Sequence, residues 1–270
     1  MTDKLLDVEG IERCTIAAVA PQQVHEMYRA HQLPGWLLAI DGGSMGRACS
    51  AVPLSHVADN ANPEVIAAIV AQYAAQGMQA KFRLPDVPAF AAFVAKLHTL
   101  GYRSASPTWV QTTTAAALCA ATANASLAAN HTVELANDAD QNWTRVFAKG
   151  QAPSADDLAR VDNFRRGTGV VFASVRQAHV QSNAQDPQTV AVGAAAFSHG
   201  WACVHGLNTL PAYRGQGMGS SVLAALAQAA LARGVQHVML QVEDYNTSAQ
   251  ALYSRLGFSK AWKYVYWQLP

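Results

Sequence analysis

The segment Leu210-Pro211-Ala212-Tyr213-Arg214-Gly215-Gln216-Gly217-Met218-Gly219 follows an apolar run and opens an alanine-rich helix. Glycines at 215, 217 and 219 leave no side chains between the backbone N–H groups and a ligand. Amides at a helix N-terminus can then converge on a pyrophosphate, helped by the helix dipole. Two common nucleotide loops do not fit: the chain has no GxxxxGK[ST], and Gly215-Gln216-Gly217-Met218-Gly219 lacks the second spacing of GxGxxG. What remains is Arg214-x-x-Gly217-x-Gly219. Downstream, Asn246 and Tyr253 stand about two turns apart on one face of a predicted helix, so both can point into one groove. Upstream, strand alternation puts Trp201, Cys203, His205 and Leu207 on one face approaching the turn. A histidine there, with an ordinary pKa of about 6.5, is competent as a base near neutral pH.

Arg214, Gly217 and Gly219, followed by a helix and the strand His237–Val242, resemble the acetyl-CoA-binding core of the GCN5-related N-acetyltransferases. The block Asn246-Thr247-Ser248-Ala249-Gln250-Ala251-Leu252-Tyr253-Ser254-Arg255-Leu256-Gly257-Phe258 is similar to the N-x-x-A-x-x-L-Y-x-x-x-G-F segment of that superfamily. The resemblance covers residues 131–270 and implies a site. Leu207, Asn208 and Thr209 would offer backbone groups to the pantetheine as if it were an added strand. Arg214, Gly215, Gln216, Gly217, Met218, Gly219 and Ser220 would surround the pyrophosphate, and Asn246 would hold the pantetheine arm. Tyr253 would protonate the departing sulfur. His205 resembles the base histidine of arylalkylamine-type members, and Glu243 is a second candidate acting through water. Core packing is the alternative role for Tyr253 and His205.

The implied activity is an N-acetyltransferase that moves an acetyl group from acetyl-CoA, its acyl-donor substrate, to a primary amine of a small molecule or peptide by direct attack. Nothing near Cys203 lowers its pKa, which argues against a ping-pong route. Two other readings stay open: a non-catalytic acyl-CoA sensor or interaction protein, and a tandem acetyltransferase of the mycothiol-synthase sort.

A chain of 270 residues suggests two domains, each able to bury its own core. An internal repeat supports this. Gln76-Gly77-Met78-Gln79, the strand-like Lys81–Leu84, an apolar helix, Leu100-Gly101-Tyr102 and a closing strand through Trp109-Val110-Gln111 recur about 156 residues later. The second copy runs through Arg233-Gly234-Val235-Gln236, Val238–Leu240, Leu256-Gly257-Phe258 and Val265–Gln268. The expected fold class is α/β (α+β) with a mixed sheet: two tandem acetyltransferase-like domains, each a central sheet flanked by helices. Residues 1–118 form the first, 131–270 the second, and the uncharged stretch 119–130 links them. The first copy has Pro53-Leu54-Ser55-His56 where a glycine turn would stand, and Asp41-Gly42-Gly43 reads as a hairpin turn, so this half should have lost acyl-CoA binding.

With 51% hydrophobic and 14% charged residues the chain is globular, and a net charge of +1 gives no broad reason to bind nucleic acid or an anionic membrane. No stretch is long and apolar enough to span a bilayer, and Met1-Thr2-Asp3-Lys4-Leu5-Leu6-Asp7 is not a secretory leader. These features point to the cytoplasm. Cys14, Cys49, Cys119 and Cys203 and the nine histidines show no metal-ligand spacing, so no metal is expected. A homodimer stays open as an assembly state.

Overall fold

Runs rich in β-branched and aromatic residues become strands, and alanine-rich runs become helices. The computed structural model describes residues 7–20, 24–29, 33–123, 127–178 and 188–270. Residues 1–6 of the leader reading, and the segment 181–187, whose polar composition reads as a turn, lie outside the described residues. In the N-terminal half, α1 (Val8–Val19) precedes β1 (Val24–Arg29), β2 (Leu33–Ala39), β3 (Ala51–Pro53), α2 (Val65–Ala74), β4 (Phe82–Pro85), α3 (Ala91–Thr99) and β5 (Arg103–Thr114). Helix α4 (Ala115–Thr122) leads to β6 (His131–Ala136), α5 (Gln141–Phe147), α6 (Ala155–Arg166), β7 (Val171–Gln177) and β8 (Gln188–Ser198). Then come β9 (Trp201–Thr209), α7 (Met218–Ala232), β10 (His237–Glu243), α8 (Thr247–Arg255) and β11 (Ser259–Gln268).

The described strands form one mixed sheet in the order β1-β2-β3-β4-β11-β5-β10-β9-β8-β7-β6. The repeat seen in the sequence is present in the topology. Strands β2 and β8 run antiparallel to β3 and β9, and after a helix β4 and β10 return parallel to β3 and β9. The closing strands, however, are exchanged. β11 sits between β4 and β5, and β5 sits between β11 and β10, all antiparallel. Each half thus completes the other's sheet.

One face of the sheet carries α1, α5 and α6 over a core common to both halves. Leu37, Ala39 and Val52 meet Trp143, Phe164, Trp201 and Cys203 there, with Ile11 and Cys14 of α1 between them. Separate cores, as the length suggested, occur only on the opposite face. There α4 and α7 cover the C-terminal strands, and α2 and α3 cover the N-terminal ones. Met218, Val222, Leu223, Leu226 and Ala230 recur in the sequence at three- and four-residue steps, which predicts one apolar helical face, and that face of α7 is buried in this layer.

The segment read as a linker begins inside a helix. Thr114 caps α4 by accepting from the Ala117 amide at 3.1 Å, and Ala115 and Leu118 are buried in the layer shared with α7. High alanine propensity and a buried face decide this segment, at least as far as Thr122. The turn Asp41-Gly42-Gly43 does join two antiparallel neighbours, β2 and β3, as the hairpin reading expects. It starts a longer β2–β3 connection that contains a 3-10 turn, Gly46–Cys49. Among the described residues, no helix is long and apolar enough to cross a membrane.

Arg83 of β4 and Glu12 of α1 form a fully buried bidentate pair, with Nη1–Oε1 at 3.0 Å and Nη2–Oε2 at 2.5 Å. The guanidinium also lies 5.0 Å from the Tyr264 ring centre on β11. This pair joins the N-terminal sheet to a helix that packs on the C-terminal strands. Glu12→Ala should therefore lower the unfolding free energy by about 3–5 kcal/mol, because it leaves a buried guanidinium without its counter-charge. Replacing both residues with apolar side chains should recover much of the loss. Urea denaturation checks this, and a loss below about 1 kcal/mol, the range of an exposed pair, would contradict it.

Candidate active site

The glycine turn keeps its amides free. Gly217 has φ of 81°, the left-handed region that favours glycine, and it stands at the N-cap of α7. Among the described residues, none of the amides of Gly215, Gln216, Gly217, Met218, Gly219 and Ser220 donates to the protein. They converge at the helix N-terminus, where the dipole favours an anion. The preceding 3-10 turn is pinned by Tyr213, whose hydroxyl reaches Gln177 Oε1 at 2.6 Å. Arg214 Nε donates to the Thr209 carbonyl at 3.2 Å, which leaves its terminal nitrogens for a ligand. Among the described residues the Ser220 hydroxyl has no protein partner, whereas Ser221 donates its own to the Gly217 carbonyl at 3.2 Å.

Strands β9 and β10 are paired only from Trp201–His237 to Val204–Leu240 and then part. A bulge against β8 coincides with the parting: His205 pairs with Ala194 and Asn208 with Val192, so Gly206 and Leu207 face Gly193 alone. Gly206 has φ of 60°, and a Cβ there would meet the Phe147 and Phe164 rings at 3.3 Å. This bulge corrects the predicted alternation. Trp201, Cys203 and His205 face α1, α5 and α6, but Leu207 turns to the other side and packs in the α7 layer. Thr209 also departs from expectation. Its amide is taken by Asn208 Oδ1 at 3.0 Å and its carbonyl by Arg214, which shifts the strand edge open to an added segment back to residues 206–208.

A cavity of about 1300 Å³ opens at the gap. Its lining includes Val204, Leu240, Val242 and Tyr253 from the α7 side and His205, Gln241, Arg47 and Tyr264 from the α1 side, so it passes through the sheet. Tyr253 is buried beside Phe258, and burial pushes its phenol up to about 12. Its hydroxyl has no protein partner among the described residues. Asn246 caps α8 by accepting from the Ala249 amide at 3.2 Å, which leaves its side-chain NH2 to donate. Glu243 accepts from the Tyr245 hydroxyl at the mouth of the cavity.

A family profile described as "Probable histone acetyltransferase Rv0428c C-terminal" matches residues 17–267. The chain belongs to this family, within the GCN5-related N-acetyltransferases. A GCN5-related N-acetyltransferase from Kribbella flavida superposes with a TM-score of 0.67 at 16% identity, covering 97% of this chain and 95% of that one. A tandem protein of the same superfamily from the clavulanic acid biosynthesis pathway gives a TM-score of 0.57 at 14% identity over 98% and 95% of the two chains. These likenesses concern the fold. Among curated proteins, mycothiol acetyltransferase of Salinispora tropica is 43% identical over 67 residues, 24% of this chain and 22% of that protein. Thialysine N-epsilon-acetyltransferase of Bos taurus is 45% identical over 47 residues, 17% of this chain and 28% of that protein. The matched stretch spans about a quarter of each curated relative.

Of the residues that the sequence picked out, Tyr253, Asn246, His205, Glu243, Leu207 and Asn208 line the cavity, and the glycine turn stands outside that lining, next to Leu252 of α8. The expectation of an ordinary pKa for His205 is overturned. The imidazole is buried, it stacks on Phe164 with ring centres 5.4 Å apart, and neither nitrogen has a hydrogen-bond partner among the described residues. Burial, and then the nearby Arg47 guanidinium, hold its pKa well below the usual histidine value. Burial also pushes the Cys203 thiol well above its usual range, which suits the expectation that it is no nucleophile. Sequence reasoning missed Gly206, Gln241, Tyr264 and Arg47. An isolated glycine inside a strand, as at Gly206, was the available sign of the bulge. The other three were hidden by the strand exchange.

His205 should stay neutral as the pH is lowered through the usual histidine range, since its protonated form is disfavoured by burial and then by the like charge of Arg47. Imidazole chemical shifts followed by NMR across that range check it. A midpoint near the usual value would contradict the packing described.

Proposed function

We propose that the chain is an N-acetyltransferase that moves an acetyl group from acetyl-CoA to a primary amine of a small molecule or peptide by direct attack. The carrying observation is the cavity through the gap between β9 and β10, with Tyr253 and Asn246 in its lining and the glycine turn beside α8, where a Cβ on Gly219 would stand 3.6 Å from Leu252. On this reading the amides of Gly215 through Ser220 and the Arg214 guanidinium hold the pyrophosphate. Residues 206–208 align the pantetheine along the open edge of β9, and Asn246 donates to the same arm. The bound thioester supplies an activated acyl carbon at the gap.

The amine reaches that carbon from the α1 side of the sheet. Tyr253, kept protonated by burial, donates to the sulfur as negative charge develops there. The buried, neutral His205 is a poor proton acceptor because its conjugate acid is disfavoured, so it shapes the wall. Glu243, held at the mouth with Tyr245, is the better acceptor through water. The N-terminal half has lost its own acyl-CoA site. Strands β3 and β4 pair only at Ala51–Phe82 before parting, but a buried Leu54 follows β3 and the Arg83–Glu12 pair seals the α1 side. With Cys14, Cys49, Cys119 and Cys203 all free thiols, we place the reaction in the reducing cytoplasm.

The test is release of free thiol from acetyl-CoA in the presence of a panel of amines. Amine-dependent release is expected, and CoA binding without it would favour a sensor. Tyr253→Phe should lower kcat on the order of 10²-fold while leaving the CoA Kd nearly unchanged, as fits loss of a general acid. Equal turnover in the variant would make Tyr253 a core aromatic.

A further inference from the structure

The α1 end of the cavity is built largely by the N-terminal half, and it is cationic. Arg47 stands on the 3-10 turn Gly46–Cys49 of the β2–β3 connection, and Lys81 lies just before β4. The turn is held in place from several sides. Asp41 pairs with Arg166 of α6 at 3.0 Å, the Ser44 hydroxyl donates to Asp156 of α6, and a Cβ on Gly46 would meet the Tyr266 ring at 2.8 Å. Arg47 therefore projects from a fixed base.

Neither cation has a carboxylate within ion-pair distance among the described residues. Arg47 Nη1 lies 3.5 Å from Gln241 Oε1, and Lys81 Nζ lies 4.0 Å from Cys49 Sγ and 6.0 Å from the centre of the Tyr266 ring. The acids that could have served are engaged elsewhere. Glu12 is taken by Arg83, Asp157 by the Ser154 cap, Asp156 by Ser44, and Glu243 by Tyr245. A half-buried guanidinium facing a cavity with only one long neutral contact has most of its donor fork unused.

Resting on the transferase reading above, we propose that Arg47, assisted by Lys81, binds an anionic group of the acceptor, so that the substrate is an amine that also carries a carboxylate or a phosphate. Both anions fit the planar fork of arginine. Gln241 orients the guanidinium from β10: its Oε1 also accepts from the Tyr264 hydroxyl at 2.8 Å and its Nε2 donates to Thr15 Oγ1 at 3.0 Å, so the amide cannot rotate freely. The cation sits on the opposite side of the sheet from Tyr253. It serves the acceptor and leaves the pyrophosphate to the glycine turn.

The test offers the full-length protein the natural amino acids as free acids, the same amino acids as primary amides, and aminoalkyl phosphates, with thiol release as the readout. A second arm measures calorimetric binding of N-acetylated acids and their amides, with and without CoA. At least one acid or phosphate should exceed its uncharged counterpart by on the order of tenfold to a hundredfold in kcat/KM and in affinity, the range of a charge-assisted hydrogen bond. Arg47→Gln should bring that ratio close to one through KM, leave CoA affinity unchanged, and be partly rescued by Arg47→Lys. Lys81→Gln should lower the ratio less. Equal use of amides and acids by the wild type, an unaltered ratio in Arg47→Gln, or weakened CoA binding in that variant would overturn the inference. Loss of all thiol release with the acid preference kept in the binding arm would instead remove the transferase reading and leave this one standing.

Discussion

Strand β10 can leave β9 because its other edge is held along its whole length. From His237–Thr114 to Glu243–Thr108 it is paired with β5, a strand contributed by the other half of the chain. An unsupported strand that gave up half of its ladder would expose backbone groups on both edges and lose its direction. With β5 in place, only the edge facing the gap is open, and that edge lines the cavity. The full-length pairing with β5 thus holds β10 in place while the gap stays open. The exchange of β5 and β11 also makes the halves inseparable, because β4 depends on β11 in the same way.

The gap would be useless if the sheet were flat across it. The bulge at Gly206 turns β9 aside, moves Leu207 to the α7 face and leaves His205 sealed against Phe164. One side of the opening then receives the helix and turn that suit a pyrophosphate. The other receives Gln241, Tyr264 and Arg47, polar groups arranged by hydrogen bonds that cross between the halves. The N-terminal half shows the alternative outcome of the same topology. Its strands also part, yet an aromatic cluster of Trp36, Phe82, Phe90 and Phe93 fills one face and the Arg83–Glu12 pair fills the other. A duplicated frame has been closed in one copy and left open in the other.

Local chemistry was legible in the sequence where a residue type has one good reason to be there. Gly215, Gly217 and Gly219 leave backbone amides clear ahead of a helix, and Met218, Val222 and Leu226 keep a helical period, so turn and stripe were each visible as spacing, whereas the cap at Asn246 was not read. The repeat was legible too, because Gly101 and Gly257 end corresponding helices with positive φ. Pairing between distant strands was not. Nothing in Arg103–Thr114 or Ser259–Gln268 says which half each will join, since both present the same alternation to either partner. His205 was misjudged for a related reason: its pKa depends on Phe164 and Arg47, residues far away in the chain. The run from Thr112 to Asn130 lacks charge, and charge is a poor guide when alanine propensity and a neighbouring helix decide the structure.

Acetyl transfer as proposed requires the open gap and the glycine turn to act as the single acyl-CoA site of the chain. Isothermal titration calorimetry of the wild-type protein and Gly217→Val with CoA tests this directly, because the variant places a branched side chain at a left-handed position whose surroundings are otherwise open. One CoA per chain for the wild type, with affinity reduced at least about tenfold in the variant, as expected when the amides can no longer reach the phosphates, is the predicted result. Two CoA molecules per chain, or undiminished binding in Gly217→Val, would contradict it.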